Sequence, residues 1–524
     1  MKLCPIADLN ESPLAQKLVE FRKEVTRIAE DSRRASQSGE TVEVAEVERH
    51  LVQLVNELGL LGIQVVLQAL DPGTDDVEVE GQILHRVLYG PEAYQTRFGK
   101  VIVKRGRYRR GGRNTATVCP LEFRAGIIEG FWTPGAARLA AFLGGQLSLR
   151  ASQQVAAEAG MKMTNGSLGR LLPALSDQWE ASRENNQEEL RGTLECPRES
   201  VLACVSVDGV LAPMREKTAE RKAQREQPGK HGSGPSGYRE VGCGTISFHD
   251  KEGERLATWY AARMPEAKKA TLGQMLLQDM VHLTTQQPGL RRIYLADGAD
   301  INWQIADAVE AACWEAACWE AAGREAAGRE AAVSSCVSGD SEHTAPIQAA
   351  PLPSVQIVDY FHACEHLKRA CDAAFGASTS AGQIEFVKLK AKLKEDDDGV
   401  GKVIDALRYR LNLCKEGSVA HKQIKAELTY FRNQRKRMHY ADYQRQNLPI
   451  ASGVVEAACK TLVTQRLKGS GMAWTPSGGQ GVLNVRCWLQ SGCFEKAWEI
   501  LSKGYRQSCQ AVDTSTKPIL KLAA

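Results

Sequence analysis

The feature that most constrains this chain lies between residues 200 and 300. Three strand-like apolar runs follow one another there, VLACVSVDGV, REVGCGTISFHD and RLATWYAAR, and an amphipathic helix near 265 to 285 leads to a fourth, LRRIYLADGAD. Short runs of this kind, bounded by turn formers, read as strands. The order is β-β-β-α-β, and a fifth buried strand, VQIVDYF, comes at 355 to 361. Three consecutive strands, then helices alternating with further strands, predict a mixed sheet with helices on both faces.

That order matches the ribonuclease-H-like fold, and three acids stand where such a fold would use them. Asp208 follows the first apolar run and precedes Gly209; Asp297 ends the fourth and precedes Gly298. If those strands are neighbours, the two carboxylates converge, with room beside the glycines for a close-approaching ligand. Glu456 lies in SGVVEAACKTLVTQRLKGSGMAW, where Ser452 can cap a helix that presents Glu456 in its first turns. Singly these are ordinary residues, because Asp-Gly after a strand is a common turn former. Together they suit magnesium, with manganese as a substitute. In-line attack on a phosphodiester uses one ion to activate the attacking oxygen and another to stabilise the leaving oxygen, and such hard ions take oxygen ligands.

Asp359 competes for the second acidic position, since it also ends a strand. In this fold the fourth strand normally bears that acid, so Asp297 is assigned, and Asp359 is left as a supporting or DNA-contacting residue. Asp300 is a further alternative. His362 and His366 share a helical face at i, i+4 and can both bind zinc, but Cys364 points elsewhere and no further pair lies nearby. Packing or phosphate contact is the expectation for them.

A chain of 524 residues is too long for one core. Residues 1–95 read as an N-terminal helical region, from the spacing of Leu14, Leu18, Phe21, Val25 and Ile28 and a pattern resuming from Val42 to Leu70. Residues 96–125 read as a small basic β element, in which RFGKVIVKRGRYRRGGR exposes Lys104, Arg105, Arg107, Arg109, Arg110 and Arg113. Residues 126–195 read as a helix-turn-helix region turning near Gly160, with Asn165 and Arg170 placed to meet DNA; a plain helical hairpin is the alternative.

Residues 196–375 and 448–475 form the expected catalytic domain. Within it, 310–354 is a low-complexity insertion that opens on the repeat EAACW EAACW EAAGR EAAGR EAA. A five-residue period advances about 500° around a helix, so successive units share no face, and the repeat is expected to be solvated and dispensable. Residues 376–447 are a basic helical insertion, and 476–524 a C-terminal helical tail. In the insertion, 421–445 carries seven Lys or Arg against two acids. Tyr430, Phe431, Tyr440 and Tyr443 interleave with Arg432, Arg435, Lys436 and Arg437. Such a surface suits distorted or single-stranded DNA, unless the rings pack inward. Arg466 and Lys468, beside a GSG turn and Trp474, are candidate phosphate clamps or helix C-terminal cations.

The formal net charge of +4 says little as a total, because DNA binding depends on where the 67 Lys and Arg cluster. Fifteen cysteines without zinc-ribbon spacing, a polar start and no apolar run near twenty residues point to a reduced, cytoplasmic protein with no membrane segment.

VSVDGV, LADGADINW, DYFHACEH and SGVVEAACKTLVTQRLKGSGMAW together resemble the DDE transposases of bacterial insertion sequences, most closely the ISKra-type family in the Mutator-like group. The resemblance spans about 200 to 475. It implies that Asp208, Asp297 and Glu456 are the catalytic triad, and that DNA is cut and joined without a covalent protein intermediate. It also implies that the helical segment before Glu456 is an insertion in the catalytic fold. The partners would be terminal inverted repeats and target DNA, with a homo-oligomer holding paired ends. The rivals are a DNA-binding protein of the same fold that has lost catalysis, and a structure-specific nuclease of that fold.

Overall fold

The computed structural model describes residues 13–111, 115–215, 237–316, 318 and 354–512. They divide into two compact units, Met1–Gln187 with Glu495–Ala524, and Glu188–Phe494.

The first unit opens on two long helices, Pro13–Ser38 and Val44–Leu70. The second is long and apolar enough to cross a membrane by length and composition. Here it packs Leu67 and Leu60 against Tyr94, Val101 and Val103 of a sheet. That sheet has four strands in the order β3-β2-β1-β9: β1 is Asp76–Val79, β2 Gln82–Thr96, β3 Gly99–Arg109 and β9 Cys509–Ala511. Two strands thus fall within the stretch expected to be helical up to residue 95, and a third within the C-terminal tail expected to be helical. The helix ends at Asp71-Pro72-Gly73, where Gly73 takes φ 65°. Glu80 and Gly81, both at positive φ, form the two-residue turn joining β1 to β2.

Alternation along β3 points Val101, Val103 and Arg105 to one face and Ile102 and Lys104 to the other. Arg105 is therefore buried, 2.5 Å from Glu92 and 3.3 Å from Glu122, not exposed as the sequence suggested. Arg107, Arg109 and Arg110 keep partial or full exposure, while Arg113 lies outside the described residues.

Later in this unit come the helices Pro134–Gln146, Leu149–Glu158 and Asn165–Ala181. Gly160, at φ 82°, turns the chain between the second and third, and Thr164 caps the third in a reciprocal pair with Ser167. Asn165 and Arg170 lie exposed in the first turns of that helix.

The second unit is built on a five-stranded sheet in the order β6-β5-β4-β7-β8. β4 is Leu202–Pro213, β5 Tyr238–His249, β6 Arg255–Arg263, β7 Arg291–Ala296 and β8 Val355–Val358. β4, β5 and β6 are antiparallel neighbours, while β7 runs parallel to β4 and β8 parallel to β7. The helix Ala270–Gln286 joins β6 to β7 and buries Leu272, Leu276, Met280 and Leu283 at helical spacing.

The basic insertion shares this unit's core. Phe431, Tyr440 and Tyr443 are buried in the same cluster as Val205, Ile293 and Ile357, so the rings that interleave with the charge point inward and do not form a stacking surface. The start of the repeat is structured as well. It continues a helix over 300–316 in which Val309 and Cys313 are fully buried, and Glu310 holds Arg292 through two hydrogen bonds of 2.9 Å. The expectation that the whole repeat is solvated fails for its first unit. Glu310 and Cys313 are set by the preceding helix, whose face is already fixed before the five-residue period begins. Most of the remaining units lie outside the described residues.

Candidate active site

β4 runs on to Pro213, so Asp208 sits inside a long strand and not at its end. Its parallel partner β7 is the one that stops: the last pair is Ser206 with Leu295, and two residues further the same register sets Asp208 beside Asp297. Both carboxylates line one cleft of about 640 Å³.

Asp208 is half-buried. Burial, with the like charge of Asp297 adding to it, pushes its carboxyl above the ordinary range. The Gly209 N–H donates to Asp208 Oδ1 at 2.7 Å, and the Cys459 thiol to Oδ2 at 3.6 Å. Asp297 Oδ1 accepts from Ala299 N at 2.9 Å and Asn302 Nδ2 at 3.0 Å. Asp297 Oδ2 has no hydrogen-bond donor among the described residues. Gly298 takes φ 101° to leave the strand, and a side chain there would press on Tyr430, whose hydroxyl donates to the Asp297 carbonyl at 3.3 Å. The space beside Gly209 is filled by the Glu240 side chain, so that glycine makes room for a carboxylate and leaves no opening for a ligand.

Glu456 is exposed in the short helix Gly453–Ala458. One turn later Cys459 touches Asp208, which docks this helix against β4, and the chain continues as a π-helical turn, Cys459–Thr464. Glu456 does not line the cleft. Its Oε1 accepts from the Ser452 hydroxyl at 2.7 Å. Ser452 makes no hydrogen bond that caps its helix; its side chain serves the carboxylates instead. Among the described residues no group of three His, Cys, Asp or Glu is placed to hold a metal ion. The structure thus brings Asp208 and Asp297 together and leaves Glu456 on a neighbouring helix.

Asp359 is buried at 2% exposure and caps the helix Tyr360–Phe375, accepting from Phe361 N and His362 N. On that helix His366 stacks on Tyr430, with centroids 3.5 Å apart, and bonds Glu427 at 2.6 Å through Nδ1 and His362 at 3.2 Å through Nε2. Burial would raise the Glu427 carboxyl, but His366 and Arg369 outweigh it and hold it below its usual range. His362 and His366 are therefore tied into packing. Cys364 is buried among core residues.

Several expected cations are engaged elsewhere. Arg466 is buried at 3% exposure over the Trp474 ring, and burial, with the charge of Arg486, pushes its guanidinium down to about 10. It is no surface clamp, whereas Lys468 is exposed. Arg435, Lys436 and Arg437 form a 3₁₀ turn. Arg437 stacks 4.3 Å from the Trp303 ring and donates to Gln356, while Arg435 and Lys436 are exposed.

The sequence reading missed Lys268 and Lys269, which line the cleft at φ 54° and 50°. Lys269 Nζ lies 3.0 Å from Glu240. Nothing in the pair KK signals a left-handed backbone, which non-glycine residues seldom adopt.

No protein-family model and no curated protein matches the chain. Among solved structures it is similar to the Drosophila P element transposase strand transfer complex, at 11% identity over 71% of this chain and 83% of that one, with a TM-score of 0.22.

Proposed function

We propose that the chain is a DDE transposase that cuts and joins DNA by phosphoryl transfer, and that Glu188–Phe494 is a ribonuclease-H-like catalytic domain. The observation that carries this reading is the meeting of Asp208 and Asp297 from adjacent parallel strands at one cleft. The strand order β6-β5-β4-β7-β8, antiparallel on one side of β4 and parallel on the other, supports it.

The two aspartates fit a hard divalent cation. They are paired carboxylates, one raised by burial and by the other's charge, and Asp297 Oδ2 is free of donors among the described residues. Asp208 and Asp297 would hold magnesium or manganese, with waters and the phosphate in the remaining positions; Glu456, the third acid read from the sequence, stands on its own helix outside the cleft. The bound ion would supply Lewis-acid charge at the scissile phosphate. The chain's own residues do the rest. Ala299 N and Asn302 orient Asp297, Gly209 N and Cys459 orient Asp208, and Lys268 offers a cation to the phosphate. In the other unit Arg107, Arg109 and Arg110 would meet the DNA backbone, and Asn165 and Arg170 the base edges. Holding two ends would take at least two copies.

The test is incubation with DNA carrying the sequences that flank the gene on both sides. Wild type should nick it only with magnesium or manganese, and Asp208→Asn and Asp297→Asn should bind it without nicking. Binding without nicking by wild type would favour the second reading, a DNA-binding protein that has lost catalysis. That Glu456 does not line the cleft of Asp208 and Asp297 speaks for that alternative.

A further inference from the structure

We propose that the outer face of the helix Val44–Leu70 is a self-association surface, on which a second copy of this chain lays the same helix antiparallel. It gives a place to the pairing of copies that the function above requires, but it stands on this helix alone and involves no metal site.

One face of the helix is committed to its own unit. Leu60, Ile63 and Leu67 pack on the small sheet, and Gln64 and Gln68 bond its edge strand β3 at the Ile102 carbonyl and the Lys104 backbone. The opposite face has no such cover. There Leu51, Val55, Leu58, Gly62, Val65 and Ala69 recur at alternating steps of four and three, the spacing that keeps one seam against a partner helix. Val52, Val55, Val65 and Val66 are 41–54% exposed. Glu57 is the one charged residue from Leu51 to Leu70, and it is turned to Lys17 of the first helix at 2.6 Å. The seam therefore offers nothing to a phosphate or to an anionic lipid headgroup, and what it fits is another uncharged seam.

Two glycines interrupt this helix, and glycine inside a helix costs stability relative to alanine. Gly59 has its reason within the chain, because a Cβ there would collide with the Phe98 ring; at Gly62 a Cβ would meet no atom within 4 Å. Gly62 thus leaves a hole in a seam of Val and Leu, and Val55, two turns earlier, is a knob that fits it. In an antiparallel pair with its two-fold axis beside Leu58, Val55 of each copy falls on Gly62 of the other, as a closed symmetric contact demands. The same register sets Leu51 on Val66 and Val52 on Val65. It also sets Glu48, the exposed acid that continues the seam toward the N-terminus, beside Ala69. A parallel pair in register would instead put Glu48 on Glu48 and leave Gly62 facing Gly62. Burying these partly exposed side chains on two copies removes on the order of 1,000 Å² from water, the area at which a specific interface begins.

The test is sedimentation velocity of the full chain over a range of concentrations, without DNA or divalent metal. Wild type should pass from monomer to dimer as concentration rises. Val55→Glu should weaken the dimer by about 30-fold or more, as loss of a central contact does, with the helical circular dichroism unchanged. Gly62→Ala gives opposite results in the two cases. On a solvent face it raises the melting point and leaves sedimentation alone, which would overturn the proposal; in the seam it fills the hole and weakens the dimer. For the register, Val55→Cys chains mixed with Gly62→Cys chains should form a disulfide between those two positions under mild oxidation, and Val55→Cys chains alone should form none there. A wild type that stays monomeric, or a dimer that Val55→Glu leaves intact, overturns the proposal. Monomers that float with phosphatidylcholine and phosphatidylglycerol vesicles would assign the face to lipid. Protection of 51–69 from hydrogen exchange at every concentration would assign it to another part of this chain, and either result excludes the second copy. None of these outcomes touches Asp208 or Asp297, so the catalytic reading is tested separately.

Discussion

Cys459 and Asp208 lie 251 residues apart in sequence, and the thiol of the first is 3.6 Å from Oδ2 of the second. Cys459 also meets Cys243, the residue opposite Asp208 on β5. The Cys243 hydrogen bond, burial and Asp208 all push the Cys459 thiol far above its ordinary range. It is therefore a neutral donor and brings no positive charge to Asp208. Lys269 is the cation that lowers the Asp208 carboxyl, and it is itself paired with Glu240.

An acid that burial raises gives the first prediction. The folded-state carboxyl of Asp208 is raised above its unfolded value, so in strong acid, where both states are protonated, it has no effect on stability. As pH rises through the window between the two values the folded state is increasingly penalised, and above it the penalty is constant. Asp208→Asn should therefore melt higher than wild type at pH 7 in chelator, and the difference should vanish well below the ordinary aspartate value of about 3.9. Saturating magnesium should reverse the order. A ligand at 100 times its dissociation constant stabilises by about 2.7 kcal/mol, and only wild type should receive it. A lower melting point for Asp208→Asn at pH 7 would mark Asp208 as a structural acid.

The second prediction concerns the repeat. Arg292 is 1% exposed and is held by Glu310, the first residue of the first repeat unit, with Tyr294 donating to the same carboxylate at 3.0 Å. Removing one partner of a buried pair costs about 3–5 kcal/mol. Glu310 keeps 23% side-chain exposure, which places the loss from Glu310→Ala at the lower end, about 3 kcal/mol. Denaturant titration should show the midpoint fall, and deletion of Glu310–Trp314 should cost more, since it also removes the buried Cys313.

Much of the second unit was legible in the sequence because its strands are near-continuous apolar runs, which burial on both faces demands. The run ending at Asp297 and the run containing Asp208 could thus be found and ordered. The small sheet of the first unit was not. β2 reads QILHRVLYGPEAYQT, half-exposed and with Pro91 inside it, and its turn uses Glu80-Gly81 where Asn-Gly or Asp-Gly would be the recognisable signal. β9 pairs with β1 across more than four hundred residues, and three residues carry no period. At the site, strand order was enough to place Asp208 and Asp297, but the Glu456 side chain is oriented by Ser452, which sequence suggests only as a cap. The inward rings of Phe431 and Tyr440 have the same spacing that an outward stacking face would have, so only packing could decide between them.

The third prediction follows from Gly298. At φ 101° it stands in a region that strains any L side chain, and a Cβ would come 3.1 Å from the Tyr430 ring. Gly298→Ala should cost about 1–3 kcal/mol and break the Tyr430 hydrogen bond to the Asp297 carbonyl. Thermal melting reads the first effect. A loss of magnesium stabilisation larger than the loss of basal stability reads the second, because Asp297 then moves.

The last prediction separates the three cations of the turn Arg435–Arg437. Arg437 lies over Trp303 and donates to Gln356 at 2.7 Å and Gln434 at 2.9 Å, so Arg437→Ala should lower stability by about 1–2 kcal/mol. It should leave the salt dependence of DNA binding unchanged. Arg435 is paired with Asp398 at 3.2 Å, but both side chains are more than half exposed; such a pair is worth about 0–1 kcal/mol and can exchange its acid for a phosphate. Lys436 is exposed. If this face holds duplex DNA, Arg435→Ala with Lys436→Ala should leave the melting point in place and weaken binding to all sequences alike. The slope of log affinity against log salt should then flatten by roughly 0.9 for each lost contact. Preference among sequences should survive, because phosphate contacts carry no base information, and the residues assigned to base reading, Asn165 and Arg170, lie in the other unit. An unchanged slope in the double variant would show that these cations face solvent with DNA bound. The insertion would then serve the protein through its core alone, by way of Phe431, Tyr440 and the Arg437 stack.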